Sequence, residues 1–145
     1  MKKQHGFNLV ELMVVVAIVA IIAAIAYPSY TEQVRKSRRA ECAGAVTSLG
    51  NSMERFFTVN STYLGAADGG GNTGAPAIFT TTCPVDGGTA TYNLTISAAT
   101  ASTYTLQAAP TGAQTKDKCG TLTLTNTGLK GVASAESGVT WQDCW

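Results

Sequence analysis

The sequence predicts an α+β fold: a long N-terminal α-helix, apolar and projecting in its first half, amphipathic and packed in its second, against an antiparallel β-sheet with a disulfide-closed C-terminal loop. Three observations predict it. An apolar run from Phe7 to Tyr27 carries no charge after Glu11. Between Tyr30 and Phe57 apolar residues return at spacings of three and four, which marks one face of a helix. Beyond residue 90 the period shortens to two, with Thr in many of the polar slots, as in strands buried on one face.

The apolar run is long enough to span a bilayer core, which takes ~20 helical residues. Glu11 is the anomaly, because an acid in hydrocarbon costs ~2.5–3.5 kcal/mol even on lenient scales and calls for a partner. A plain secretory signal is the competing reading, with Lys2 and Lys3 as its charged start and Ala24-Ile25-Ala26 as its cleavage site; a mature N-terminus at Tyr27 would support it. Against it stand the internal carboxylate, an apolar run longer than the usual 7–15 residues of a signal, and helical character that continues through Tyr27-Pro28-Ser29-Tyr30. Pro28 removes one backbone hydrogen bond and is expected to kink the helix.

In the amphipathic half the apolar face is Val34, Cys42, Ala45, Val46, Leu49, Met53, Phe56 and Phe57. Glu32, Arg35, Lys36, Arg38, Arg39, Glu41, Glu54 and Arg55 are assigned to the polar face. Taken as one rod, residues 7–57 would extend ~75 Å, too long for a chain of 145 residues to cover. Residues 58–90 read as a loop punctuated by Gly, Pro and Asn, with Tyr63, Leu64, Ile78 and Phe79 as anchors. Gly69-Gly70-Gly71 lacks the lysine and helix that a phosphate cradle needs. Three strands are expected within 91–125, around Tyr92-Leu94-Ile96, Tyr104-Leu106-Ala108 and Leu122-Leu124. The tail from Asn126 reads as irregular.

Four cysteines, Cys42, Cys83, Cys119 and Cys144, lie outside any CxxC pair, and the one histidine is His5. That composition argues against a metal site and offers no Cys–His or Ser–His set for catalysis; no cofactor is implied, and the chain reads as a non-enzyme. An even cysteine count behind an apolar N-terminus points to disulfides made in an oxidising compartment. Of three connectivities, Cys42–Cys83 with Cys119–Cys144 closes the shorter loops. The net charge of +1 carries no argument for a nucleic-acid partner. Ten basic residues less Lys2 and Lys3 leave eight against nine acids.

Gly6-Phe7-Asn8-Leu9-Val10-Glu11 resembles the cleavage and methylation signature of type IV prepilins, in the type IVa subclass of Gram-negative bacteria. The layout resembles theirs throughout: leader 1–6, hydrophobic half-helix 7–30, and head 31–145, with helix 31–57, αβ-loop 58–90, sheet 91–125 and D-region 119–145. The resemblance implies a pilin fold, cleavage between Gly6 and Phe7 by a membrane peptidase, and N-methylation of Phe7. It implies assembly through Glu11, Phe7 and Pro28, with the Glu11 carboxylate meeting the Phe7 amine of a neighbouring subunit. The implied partners are other pilin subunits, the prepilin peptidase/methylase, inner-membrane assembly machinery and, before assembly, the membrane itself. The implied location is the inner membrane first and the extracellular pilus afterwards, with adhesion, twitching motility or DNA uptake as the fibre's work. A positive-inside count of Arg35–Arg39 gives the opposite orientation; the cysteines and the cytoplasmic processing of the family override it.

The C-terminal part, from Asp117-Lys118-Cys119-Gly120 to Cys144-Trp145, resembles PilE-class pilins and the competence pilin ComP, a DNA receptor. That similarity carries an alternative, DNA binding through Arg55, Lys116, Lys118 and Lys130, against the plainer view that these are solvated surface charges. A secretion pseudopilin is a third reading, disfavoured by the two disulfides.

Overall fold

The computed structural model describes residues 8–145. Helix α1 runs Leu9–Asn60, followed by β1 (Thr82–Cys83), β2 (Tyr92–Ala99), β3 (Tyr104–Pro110), β4 (Thr121–Thr125) and β5 (Lys130–Ala133). By internal contacts the chain divides into a first unit ending at Val34 and a second, Arg35–Trp145.

In the first unit every described residue up to Tyr30 is exposed, including Leu9, Ile21 and Ile25 at 72%, 65% and 71%. This helix is long and apolar enough to cross a membrane. Helical structure is continuous through Pro28, whose carbonyl accepts a hydrogen bond from the Thr31 hydroxyl at 2.9 Å.

In the second unit α1 buries Cys42, Ala45, Val46, Leu49 and Met53, while Phe56 and Phe57 pack half-buried at the rim. The stripe meets the inward faces of β2 (Tyr92, Leu94, Ile96), β3 (Tyr104, Leu106, Ala108) and β4 (Leu122, Leu124). Register stacks these side chains in rows across the sheet: Ile96 opposite Leu106, Leu106 opposite Leu124, and Ala108 opposite both Leu94 and Leu122. At Gly50 the helix lies close to this surface: a Cβ there would stand at ordinary van der Waals distance, 3.5 Å, from Leu124 and from the Tyr104 hydroxyl.

The sheet has five strands in the order β1-β2-β3-β4-β5, all antiparallel, which corrects the expected three. β1 lies inside the segment read as loop. It pairs only two residues, Thr82 with Asn93 and Cys83 with Tyr92, too few for alternation to register. β5 lies in the tail read as irregular and pairs with β4 from Thr121 opposite Ala133 to Leu124 opposite Lys130. Its Gly131 leaves room for the Thr123 side chain, whose hydroxyl would lie 2.6 Å from any added Cβ. The helix ends at Asn60 rather than Phe57; Asn60 Nδ2 donates to the Phe56 carbonyl and Ser61 turns to a φ of 56°.

Disulfides join Cys42 to Cys83 and Cys119 to Cys144, with Cα separations of 5.6 and 5.8 Å. The first ties α1 to β1; the second ties the C-terminus to the start of β4. On the chain-entropy account the two closures contribute about 4 and 3.5 kcal/mol.

Candidate assembly helix and head surface

Gly6 and Phe7 lie outside the described residues. The described chain reaches the assembly segment at Asn8, whose carbonyl accepts from the Leu12 amide at 3.1 Å. Glu11 falls in the first turn of α1. There the positive end of the helix dipole favours a carboxylate by about 0.3–1 kcal/mol, so the acid sits at the end of the helix that tolerates it. It is exposed, and the side chains after it stay uncharged until Glu32.

The four candidate DNA-contact residues keep separate company. Arg55 donates to the Ser52 hydroxyl at 2.9 Å on α1. Lys116 is exposed at the end of a 3-10 turn, Gly112–Lys116. Lys118 is half-buried, and its carbonyl accepts from the Glu136 amide at 2.8 Å. Its charge also faces Asp143, whose carboxyl is held below the usual carboxylate range, chiefly by hydrogen bonds from the Thr140 backbone and hydroxyl. Lys130 stands 5.2 Å over the Trp145 ring, within cation–π range, and that indole donates to the Gly131 carbonyl at 2.9 Å. Trp145 thus packs on β5 beside the Cys119–Cys144 bridge, with Trp141 left 43% exposed.

Lys130 also lines a cleft of about 340 Å³ between α1 (Thr47, Gly50, Asn51, Glu54) and the β4–β5 turn. At its edge the Glu54 carboxylate accepts from the Tyr63 and Tyr104 hydroxyls at 3.0 Å each. The Tyr63 ring meets Tyr104 edge-on at 4.8 Å and Phe57 at 4.6 Å, which fixes the start of the loop to the core. Of the other loop anchors, Ile78 and Phe79 are half-buried and Leu64 is exposed. Burial, then the Glu54 contacts, raises both tyrosines above their ordinary pKa.

One polar group departs from the sequence reading. Arg39, assigned to the solvent face, is 3% exposed and forms an ion pair with buried Asp117. Asp117 Oδ2 accepts further from the Tyr92 hydroxyl at 2.5 Å and Gln114 Nε2 at 3.1 Å, and Oδ1 from the Cys119 amide at 3.3 Å. Burial and the Asp117 bond raise the Tyr92 pKa. The signal was present in the spacing: Arg39, Cys42, Val46, Leu49 and Met53 fall on one helix face at steps of three and four. Charge alone had assigned the arginine outward.

Among the described residues no group of His, Cys, Asp and Glu is arranged to hold a metal ion. The arrangement of the described residues is one of packing: an exposed apolar helix, then a head held by two disulfides and a buried ion pair. Residues 1–27 match the family model described as the prokaryotic N-terminal methylation motif. Together with the head's own family match over residues 28–123, this places the chain among the type IV pilins. Two solved structures share the fold. A type IV pilin from Shewanella oneidensis is 20% identical, with a TM-score of 0.51 over 77% of this chain and 97% of that one. The non-core minor pilin PilV from Neisseria meningitidis is 17% identical, with a TM-score of 0.51 over 76% and 95%. Residues 28–123 match the family model described as type IV minor pilin ComP, DNA uptake sequence receptor, and the chain belongs to that family. No curated protein gives a significant match.

Proposed function

We propose that this type IV pilin is cut between Gly6 and Phe7, methylated on the new Phe7 amine, and drawn from the inner membrane of a Gram-negative cell into an extracellular pilus. Its helix serves first as a membrane span and then as fibre core, with Glu11 of one subunit pairing with the Phe7 amine of the next and Pro28 shaping the packed helix. The partners are other subunits, the peptidase/methylase and the inner-membrane assembly machinery; the role is structural, not enzymatic. The observation that carries this reading is the exposed helical surface after Glu11, uncharged and apolar for most of its length. In either solvent, lipid or fibre, that surface is covered. The test is Glu11→Ala: insertion and cleavage persist, while sheared filaments, counted by electron microscopy and immunoblot, fall at least about tenfold, as loss of a desolvated charge pair implies. Normal piliation in that variant would remove the pairing.

A second reading, favoured by the family description, makes the head a DNA receptor within the fibre. Lys116, Lys118, Lys130 and Arg55 are the candidate phosphate contacts. Binding of that kind weakens steeply with salt. Absence of a gel shift between the head, Arg35–Trp145, and duplex DNA at low salt would end it.

A further inference from the structure

The buried polar group around Asp117 lies where the two disulfides have to be told apart. Arg39 precedes Cys42 by three residues on α1, about one helical turn. Tyr92 is the cross-strand partner of Cys83. Asp117 holds the amide of Cys119. Three of the four half-cystines are therefore adjacent to, or bonded by, a member of one hydrogen-bonded group. Gln114 extends that group to the Arg35 carbonyl at 3.0 Å and to the Tyr92 hydroxyl at 3.1 Å.

We propose that this network is a disulfide-sorting device: it sets α1, β2 and the turn before β4 in register so that Cys42 meets Cys83, and it reserves Cys119 for Cys144. The chemistry is ordinary exchange with a disulfide-bearing oxidant outside the cytoplasm. One cysteine thiolate attacks the oxidant RSSR, giving a mixed disulfide and one RSH; its partner thiolate displaces the second RSH, closing the bridge. Which partner arrives first is decided by geometry. Pairing Cys119 with Cys42 or Cys83 drags the turn that carries Asp117, because the Cys119 amide is bonded to that carboxylate only two residues away. The carboxylate then leaves Arg39 and Tyr92, and a buried charge without its counterion is strongly disfavoured. The network's bonds need no oxidant, so they can form in the reduced chain before either bridge.

The test follows pairing rather than yield. The reduced full chain in detergent micelles is oxidised in a glutathione redox buffer, quenched by alkylation at successive times, and its linkages mapped by peptide mass spectrometry. Asp117→Asn and Tyr92→Phe are compared with Leu106→Ala, a fully buried residue in the same core outside the network. The alkylated ensemble is read whether or not a variant completes folding. Expected is a rise of about threefold or more in the mispaired share for Asp117→Asn. It moves toward the two-thirds that random choice among three connectivities gives, with a smaller rise for Tyr92→Phe and none for Leu106→Ala. Native pairing in both network variants overturns the proposal. So does equal mispairing in all three, which would assign sorting to the core as a whole.

Discussion

Removing the Asp117 carboxylate tests how much of the head rests on one buried charge. In Asp117→Leu the Arg39 guanidinium stays at a site 3% exposed with its counterion gone. Breaking one side of such a pair costs about 3–5 kcal/mol. The Tyr92 hydroxyl and Gln114 amide lose an acceptor as well; Gln114 Nε2 still donates to the Tyr92 oxygen at 3.1 Å, so the donor left without a partner is the Tyr92 hydroxyl, at about 1 kcal/mol or more. A loss of about 4–6 kcal/mol is a large part of the 5–15 kcal/mol typical of a domain. Replacing both partners, Arg39→Met with Asp117→Leu, removes the orphaned charge together with the desolvation that the pair had cost. The double variant is therefore expected within about 2 kcal/mol of the parent, more stable than Asp117→Leu alone. Guanidinium unfolding of the disulfide-intact head, read as midpoint and slope, measures each corner of the cycle. A double variant no more stable than Asp117→Leu, or a single-variant loss under about 1 kcal/mol, would refute the reasoning, because the charge would then be solvated or otherwise compensated.

Two glycines give substitutions of opposite sign. Gly120→Ala puts a Cβ 2.5 Å from the Ala133 carbonyl oxygen and 2.6 Å from that of Ser134, at a φ of +59°; a loss of about 2–5 kcal/mol is expected from backbone strain and overpacking together. Gly44→Ala, on the exposed side of α1 with nothing within 4 Å, is expected to gain about 0.5–1 kcal/mol, and midpoint shifts in denaturant check both. Alkali should also act on the head. Tyr63, Tyr92 and Tyr104 all have folded-state pKa values above the ordinary 10.0, by burial first and by their carboxylate partners next. A raised pKa means that stability is full below the unfolded value and declines as pH rises through 10 toward the folded one. The unfolding midpoint should therefore fall between pH 9 and 11, about where free tyrosine ionises, and less so in Tyr92→Phe; a flat profile in both would contradict the assignment.

The parts of the fold that were legible in the sequence are those carried by short-range periodicity. The stripe from Cys42 to Met53 and the alternation through β2, β3 and β4 each repeat often enough to name a face. β1 and β5 were not legible, because two and four residues cannot display a period and their partners lie elsewhere in the chain. The Cys42–Cys83 and Cys119–Cys144 bridges followed from loop length. The Arg39–Asp117 pair did not, since its members stand 78 residues apart and an arginine among Arg35, Lys36 and Arg38 reads as one more solvated charge.

Arg39, buried in the head, and Glu11, exposed at the start of the apolar run, set the helix's two halves apart. Arg39 is held by a carboxylate of its own chain, itself bonded by tyrosine, glutamine and a backbone amide, so its charge is satisfied within the head. Glu11 has no partner among the described residues, and the surface after it has no cover. On the proposed reading, a neighbouring subunit supplies the first half with both the apolar contact and the countercharge that the second half finds within its own chain. On this argument Glu11→Ala and Asp117→Leu should separate cleanly: the first leaves the head's unfolding midpoint unchanged and depletes filaments, while the second lowers that midpoint. A Glu11→Ala chain whose head unfolds at a lower denaturant concentration than the parent would break the distinction.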